Sequence, residues 1–484
     1  MNTNQPTVGR RLRRAEWGSA LLVALLLFVF FRFCYSAHLV HREQFSLFLL
    51  APEPLTAYAR HPAALARLLG DFLTQFFCFP TAAAVILALT LTLVGVATFR
   101  LLSRWLRGWA LLPAAALVAV EFVRQCGLTY PLSSSLQLLG LLLAADALVR
   151  LLRHGWRRVL LCLLLAVGSV WLFGWGDWSR PKGGPDFRVE QMLAADQDWH
   201  AGRVEALQRR LDRQPAGDTY FACWRNLLSV ARGRLGETLL DDPQEGLNSL
   251  FLPVNPTTPY AVLYAANEAW FLMGDMTNAE HAAMLGMVFS PSAQGTRPLM
   301  RLAEISLVNG DEAAADKYLD LLSHTLLYRR WAADRRAASR TPEVERWLRL
   351  KRSLLVQTDC VRATIDPLRS LRHLLDNHPE NPFALDYLLA TDLLNRDVET
   401  FADDYRRYCP QRRPDGVWAE AWLVYYNAHS VPPREVAASG IDGEVLRAFD
   451  DYVRQWKTAG GNASALRDRF GRTYWYYFHF SDHA

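Results

Sequence analysis

Residues 1–180 contain no lysine and few acids: 17 arginines stand against 7 acidic residues, a net of +10. The remainder holds 36 basic residues against 41 acids, a net of −5. The excess positive charge is therefore confined to the apolar part of the chain. That excludes a nucleic-acid binder, whose soluble domain would carry the basic face. Cysteine is sparse: Cys34, Cys78, Cys126, Cys162, Cys223, Cys360 and Cys409 form no C-x-x-C pair. Zinc-type ligand spacing is absent and a disulfide framework is excluded at this density. One bridge among Cys223, Cys360 and Cys409 stays open. No H-E-x-x-H, G-x-S-x-G, Walker loop or G-x-G-x-x-G is present, so no catalytic residue, cofactor or metal site is expected. His200 beside Asp196 and Asp198 is the one tight acid–histidine group outside the tail, and it reads as ordinary surface pairing. Asn462 heads a glycosylation sequon of a kind common by chance.

Long apolar runs are what the first 180 residues do contain. Five segments, at 17–36, 81–99, 107–124, 131–149 and 158–175, approach the roughly 20 apolar residues that ~30 Å of hydrocarbon requires. The third, WALLPAAALVAVEFV, is short and needs flanking residues to span. Between the first two, Leu65, Leu68, Leu69, Phe72 and Phe76 share one face of an expected amphipathic outer-loop helix at 63–78. Arginines collect before segment one (Arg10, Arg11, Arg13, Arg14), between two and three (Arg100, Arg104, Arg107) and between four and five (Arg150, Arg153, Arg157, Arg158). By the positive-inside rule these alternate loops and the amino terminus are cytoplasmic, and everything after Trp175 lies across the membrane. Arg32, Glu121 and Asp146 fall near segment ends. A charge at membrane depth is a functional candidate by default, but snorkelling near an end is a sufficient explanation of all three.

After a polar linker at 179–186, the pattern becomes helix, turn, helix. A helical-repeat domain is expected over 187–484. LYAANEAWFLMGDMTNAEHAAMLGMVFSP aligns with a tetratricopeptide unit, with Gly274 at a turn that needs a small or φ-positive residue. A second unit follows when Gly310 is matched to Gly274. A third, FALDYLLATDLLNRDVETFADDYRRYCP, has no glycine at the turn. The clearest repeats are 259–291, 295–327 and 382–410. The fold class expected is all-α: about five amino-terminal transmembrane helices followed by a tetratricopeptide-like α-solenoid. The densest charge run, Tyr328 to Arg352, offers Arg329, Arg330, Arg335, Arg336, Arg346, Arg349 and Arg352 as a candidate patch for an anionic partner, against the plainer reading of a solvated helical face. The terminal TYWYYFHF reads as an aromatic cap on the last helices.

HREQFSLFLL (His41 to Leu50), FLTQFF (Phe72 to Phe77), ADQDW (Ala195 to Trp199), DPQEGLNSLFLP (Asp242 to Pro253), YRRWA (Tyr328 to Ala332) and FGRTYWYY (Phe470 to Tyr477) occur in that order. Together they resemble an uncharacterised family of bacterial multi-pass membrane proteins, a domain of unknown function with a carboxy-terminal tetratricopeptide-like region. The resemblance implies an inner-membrane protein of a Gram-negative bacterium with its helical domain in the periplasm, and it carries over no catalytic residues. The expected function is a membrane-anchored periplasmic scaffold whose partners are the lipid bilayer and a protein or peptide. The alternative is a membrane enzyme or transporter handling lipid-linked glycans, with Glu43, Glu121 and the first outer loop facing substrate.

Overall fold

The computed structural model describes residues 5–61, 63–151, 156, 163, 184–252, 260–289, 294–356, 358 and 366–481. Among these every regular element is helical, with no strand. Contacts divide the chain into two compact units. The first comprises Met1–Ala194 with Met287–Met300 and Asp316–Ser339, and the second Ala195–Gly286 with Arg301–Ala315 and Arg340–Ala484.

In the first unit, α1 (Gln5–Val29) runs into one π-helical turn, Phe30–Cys34, closed by Tyr35 N–H donating to the Phe30 carbonyl. There follow α2 (Ser36–Gln44), α3 (Pro52–Tyr58), α4 (Ala64–Thr74), α5 (Pro80–Leu106), α6 (Leu111–Gln125) and α7 (Leu132–Leu151). Among the described residues three helices are long and apolar enough to cross a membrane: Trp17–Cys34, Pro80–Leu106 and Leu132–Leu151. Of the five segments expected from hydropathy, these are the first, second and fourth. Segment three forms only the 15-residue α6, about 22 Å at 1.5 Å per residue, because the preceding Arg107–Ala110 turn is 3-10 helix rather than a continuation of α6. Segment five, 158–175, lies outside the described residues apart from Leu163, as does most of the expected linker.

α5 is the central pillar of this unit. Pro80 opens it, where a missing N–H costs nothing. Ala83, Ala84, Leu87, Ala88, Leu91 and Val94 recur at helical spacing and are buried, their small side chains admitting α1 and α7. A Cβ at Gly95 would sit 2.7 Å from Val118 of α6, so only glycine allows that approach. Thr90 and Thr98 return their hydroxyls to the carbonyls of Ile86 and Val94, which satisfies them within the helix. α1 and α5 run antiparallel, since Arg32 bonds Thr81 at one end while Arg100 lies over Trp17 at the other. Along α5 those two points are roughly 28 Å apart. α4 buries Gly70 and Thr74, with Gly70 directly against Ser133 of α7, and leaves Leu65 77% exposed.

Over the stretches read as repeats the chain forms the helix pairs Tyr260–Met273 with Met276–Val288, Thr296–Asn309 with Glu312–Ser323, and Pro382–Leu394 with Val398–Tyr408. Each turn uses the same chemistry. Gly274, Gly310 and Arg396 take positive φ, and the next residue, Asp275, Asp311 or Asp397, donates its N–H back five residues to Trp270, Ser306 or Asp392. This closes the first helix in a Schellman turn. The same aspartates then accept from Asn278, Ala314 and Thr400 N–H, starting the second helix. Arg396 holds the left-handed position in the hairpin that has no glycine there.

The aromatic tail forms the helix Tyr474–Phe480 and seals the second unit. Tyr474 and Tyr477 donate to the carbonyls of Leu393 and Leu394 in the last turn of their helix. Cys223 and Cys409 are free and buried, and Cys360 lies outside the described residues. Asn462 caps the helix Ala463–Phe470 by accepting from Ser464 N–H.

Candidate functional site

The densest concentration of buried polar groups in the first unit is α2 and its surroundings. SAHLVHREQ reads as a surface helix, yet His38, His41, Arg42, Glu43 and Gln44 are all buried. Burial of so many ionisable groups requires partners, and each end of α2 has them. At its start the Glu190 carboxylate accepts from the N–H groups of Ala37 (2.6 Å) and His38 (2.9 Å), which complements the free donors and positive end of the helix.

From the middle of α2 a hydrogen-bonded chain runs inward. Arg42 donates to the Gln125 side chain (2.8 Å) and lies over the Phe77 ring. Gln125 donates to the Ser135 hydroxyl (2.8 Å), and Ser135 donates to Glu121 (2.6 Å). Glu121 also accepts from Arg124 (2.7 Å) and Tyr130 (3.1 Å). Glu121, 0% exposed, is thus held by three donors from α6, α7 and the turn between them, and is not a snorkelling end residue.

At the far end of α2, Glu43 is 1% exposed. Tyr328 donates to its carboxylate at 2.9 Å and Thr296 at 3.3 Å. Next to them Arg297 donates to Gln44 (3.4 Å). The backbones are fastened too: Thr296 N–H donates to Ser46 C=O, and Leu50 N–H to His324 C=O. Gly295 fits because a methyl there would lie 2.7 Å from the Gln44 carbonyl oxygen and 3.2 Å from Phe45 Cα. A residual cavity of only about 10 Å³, room for one water, lies among Glu43, Ser46, Gln75, Thr296 and Tyr328.

Burial governs the protonation of this cluster. It pushes the Glu43 carboxyl up to about 8 against the opposing hydrogen bonds from Tyr328 and Thr296. His41 is held well below its ordinary 6.5 by burial first, and then by the neighbouring His38 and the Arg297 charge. His38 is pushed down to about 3, by burial and then by Arg42. At neutral pH the site therefore contains a neutral acid and two neutral imidazoles beside charged Arg42. Such a set can exchange a proton at Glu43, and it forms a closed fastening rather than an open pocket. Among the described residues no group of three or more His, Cys, Asp or Glu could hold a metal ion.

The other residues singled out from sequence are dispersed. Arg32 sits in the π turn and bonds Thr81. Asp146 lies between Arg104 and Arg150. Of the arginine patch, Arg329, Arg330, Arg335 and Arg336 belong to the first unit and Arg346, Arg349 and Arg352 to the second. Arg335 stacks on Trp331, Arg336 pairs with Asp320, and Arg352 donates to the carbonyls of Leu307 and Val308. Arg329, Arg330, Arg346 and Arg349 are exposed. Sequence reasoning missed His38, His41, Arg42, Gln125 and Tyr328. The signals for His41, Arg42 and Tyr328 were the polar density of HREQ directly after an apolar segment and the place of HREQFSLFLL and YRRWA in the family resemblance; His38 and Gln125 had none.

The family of unknown function DUF6057 has a model that matches residues 11–180 and 175–481. The chain belongs to that family. This DUF6057 chain has no match among curated proteins or among solved structures. Both the α2 cluster and its partners Thr296 and Tyr328 fall inside the regions matched to DUF6057.

Proposed function

We propose that the chain is a membrane-anchored helical-repeat scaffold for protein–protein interaction in the bacterial cell envelope, with its amino terminus cytoplasmic and its carboxy-terminal domain periplasmic. Three long apolar helices among the described residues support the anchor, and the arginines of alternate loops support its orientation: Arg104 of α5 pairs with Asp146 of α7, so these two helices run parallel with α6 returning between them. The recurring turn at Gly274, Gly310 and Arg396 supports a tetratricopeptide-like repeat, and repeat arrays commonly bind through their extended faces. The observation that carries the reading is the closure of the acids: Glu43 and Glu121 have their oxygens engaged by Tyr328, Thr296, Ser135, Arg124 and Tyr130 of the same chain. An enzyme or transporter using Glu43 would need an opening there, and the cavity beside it is about 10 Å³.

The test is complementation of a deletion strain. Glu43→Gln, which keeps shape and hydrogen bonding, and Glu121→Gln, which keeps shape but turns one acceptor into a donor, are both expected to complement. Arg346→Glu with Arg349→Glu, on the exposed face of Pro342–Arg352, is expected to lose the cross-links to a partner seen with the parent chain in intact cells. Loss of complementation by a folded Glu43→Gln or Glu121→Gln chain contradicts the scaffold reading.

A further inference from the structure

We infer that the groove between α1, α5 and α6 binds one acyl chain of an anionic phospholipid, with its phosphate against Arg100. The inference rests on the membrane reading above. The hollow has a volume of about 470 Å³ and is lined by α1 from Trp17 to Phe30, α5 from Thr92 to Arg100 and α6 from Leu111 to Phe122. Its size falls within the range of sites for small ligands. It does not arise from helices that splay apart, because Gly95 brings α5 against Val118 of α6 within the groove wall. The space comes from side chains that stop short: Ala20, Gly95, Ala115 and Ala119 line it between the longer Leu26, Phe30 and Phe122. Trp17 to Phe30 spans roughly 20 Å of helix. One leaflet's share of a ~30 Å hydrocarbon core is about 15 Å, so a single lipid chain fits lengthwise.

The two ends of the groove differ in charge. At one end are the rings of Phe30 and Phe122, packed edge to face at 4.9 Å. At the other, the Arg100 guanidinium lies 5.7 Å from the Trp17 ring centroid, an arrangement suited to the headgroup level of a bilayer. One turn further along α5, Arg104 is paired with Asp146, whereas Arg100 forms no ion pair among the described residues. An apolar trough ending in an exposed, unneutralised arginine beside an interfacial tryptophan complements a lipid with a net negative headgroup. Zwitterionic lipid offers the same chain with no net charge for Arg100, so the preference is for the anionic one.

The experiment uses the full chain, purified from membranes in mild detergent and examined by native mass spectrometry during titration with phosphatidylglycerol or phosphatidylethanolamine. The parent chain is expected to retain one phosphatidylglycerol, preferred about fivefold over phosphatidylethanolamine, the scale of one arginine at a membrane surface. Arg100→Gln is expected to bring that ratio close to one. Ala115→Trp fills the groove from an exposed position and is expected to abolish retention of either lipid; Ala119→Phe repeats the test should the first variant fail to fold. Leu89→Trp, exposed on α5 outside the groove, is expected to behave as the parent. Equal retention of the two lipids by the parent chain overturns the inference, as does undiminished retention by the filled variants. A lipid-free disulfide between Ala115→Cys and Cys162 would show the groove covered by the chain's own residues 158–175, which also overturns it. A chain that leaves the membrane fraction without detergent defeats the membrane reading itself; a chain that needs detergent but keeps no lipid defeats only the groove.

Discussion

Replacing Glu43 by glutamine tests the protonation argument at the α2 cluster. Burial raises the Glu43 carboxyl from its ordinary 4.5 to about 8 in the folded chain. Below pH 4.5 both folded and unfolded chains hold the proton, and the group is neutral in the balance. Above it the unfolded chain ionises freely while the folded chain keeps the proton, so this group destabilises the fold increasingly as pH rises, levelling off near pH 8. At 1.36 kcal/mol per pH unit the cost reaches on the order of 3 kcal/mol at pH 7 and stays under about 1 kcal/mol at pH 5. Glutamine accepts from Tyr328 as the acid does, and its amide can donate to the Thr296 hydroxyl 3.3 Å away. It has no proton to lose. Imperfect amide geometry takes back part of the gain, so Glu43→Gln is expected to stabilise the chain by about 1–3 kcal/mol at pH 7–8 and by much less at pH 5. Thermal unfolding of the detergent-solubilised chain, followed by tryptophan fluorescence from pH 5 to 8, measures this. A variant no more stable than the parent at pH 8, or a difference that does not grow with pH, refutes the reasoning.

Three further substitutions isolate single features. Gly295→Ala is expected to cost about 1–3 kcal/mol by forcing a methyl against the Gln44 carbonyl and Phe45 Cα, read as a lowered unfolding midpoint; an unchanged midpoint would mean the α2 fastening is looser than described. Glu190→Ala removes the acceptor for Ala37 and His38 N–H and is expected to cost about 1–2 kcal/mol, with faster amide exchange at residues 37 and 38; unaltered exchange would discount the cap. Gly310→Ala meets no atom within 4 Å, so its expected loss of about 1–2 kcal/mol comes from the positive φ alone, and an alanine chain as stable as the parent would contradict the turn geometry.

Much of the helical framework was legible because its signals are local. The apolar runs at 81–99 and 131–149 became the cores of α5 and α7, and Gly274 and Gly310 stand at positive φ where the spacing placed them. Segment three gave a shorter helix than expected because α6 is formed from only 15 residues after a 3-10 turn, a boundary that hydropathy does not register. A regularity in plain view went unread: Gly-Asp, Gly-Asp and Arg-Asp at 274–275, 310–311 and 396–397 each close one helix and cap the next. The α2 cluster was the least legible. HREQ has the composition of a surface helix, and what makes it a core is Tyr328, 285 residues away in sequence, together with Thr296 and Glu190. Periodicity and turn chemistry report neighbours within a few residues; a buried acid satisfied by a distant hydroxyl leaves no such trace. Glu43 and Glu121 were singled out as potential substrate contacts, and the structure places both against partners from their own chain.

The account depends on the arginine-rich loops and the helical-repeat domain lying on opposite faces of the membrane. Paired reporter fusions after Arg107 and after Gly184, one reporter active only in the cytoplasm and the other only in the periplasm, measure that directly. The account predicts cytoplasmic activity at Arg107 and periplasmic activity at Gly184. Cytoplasmic activity at both positions would contradict it.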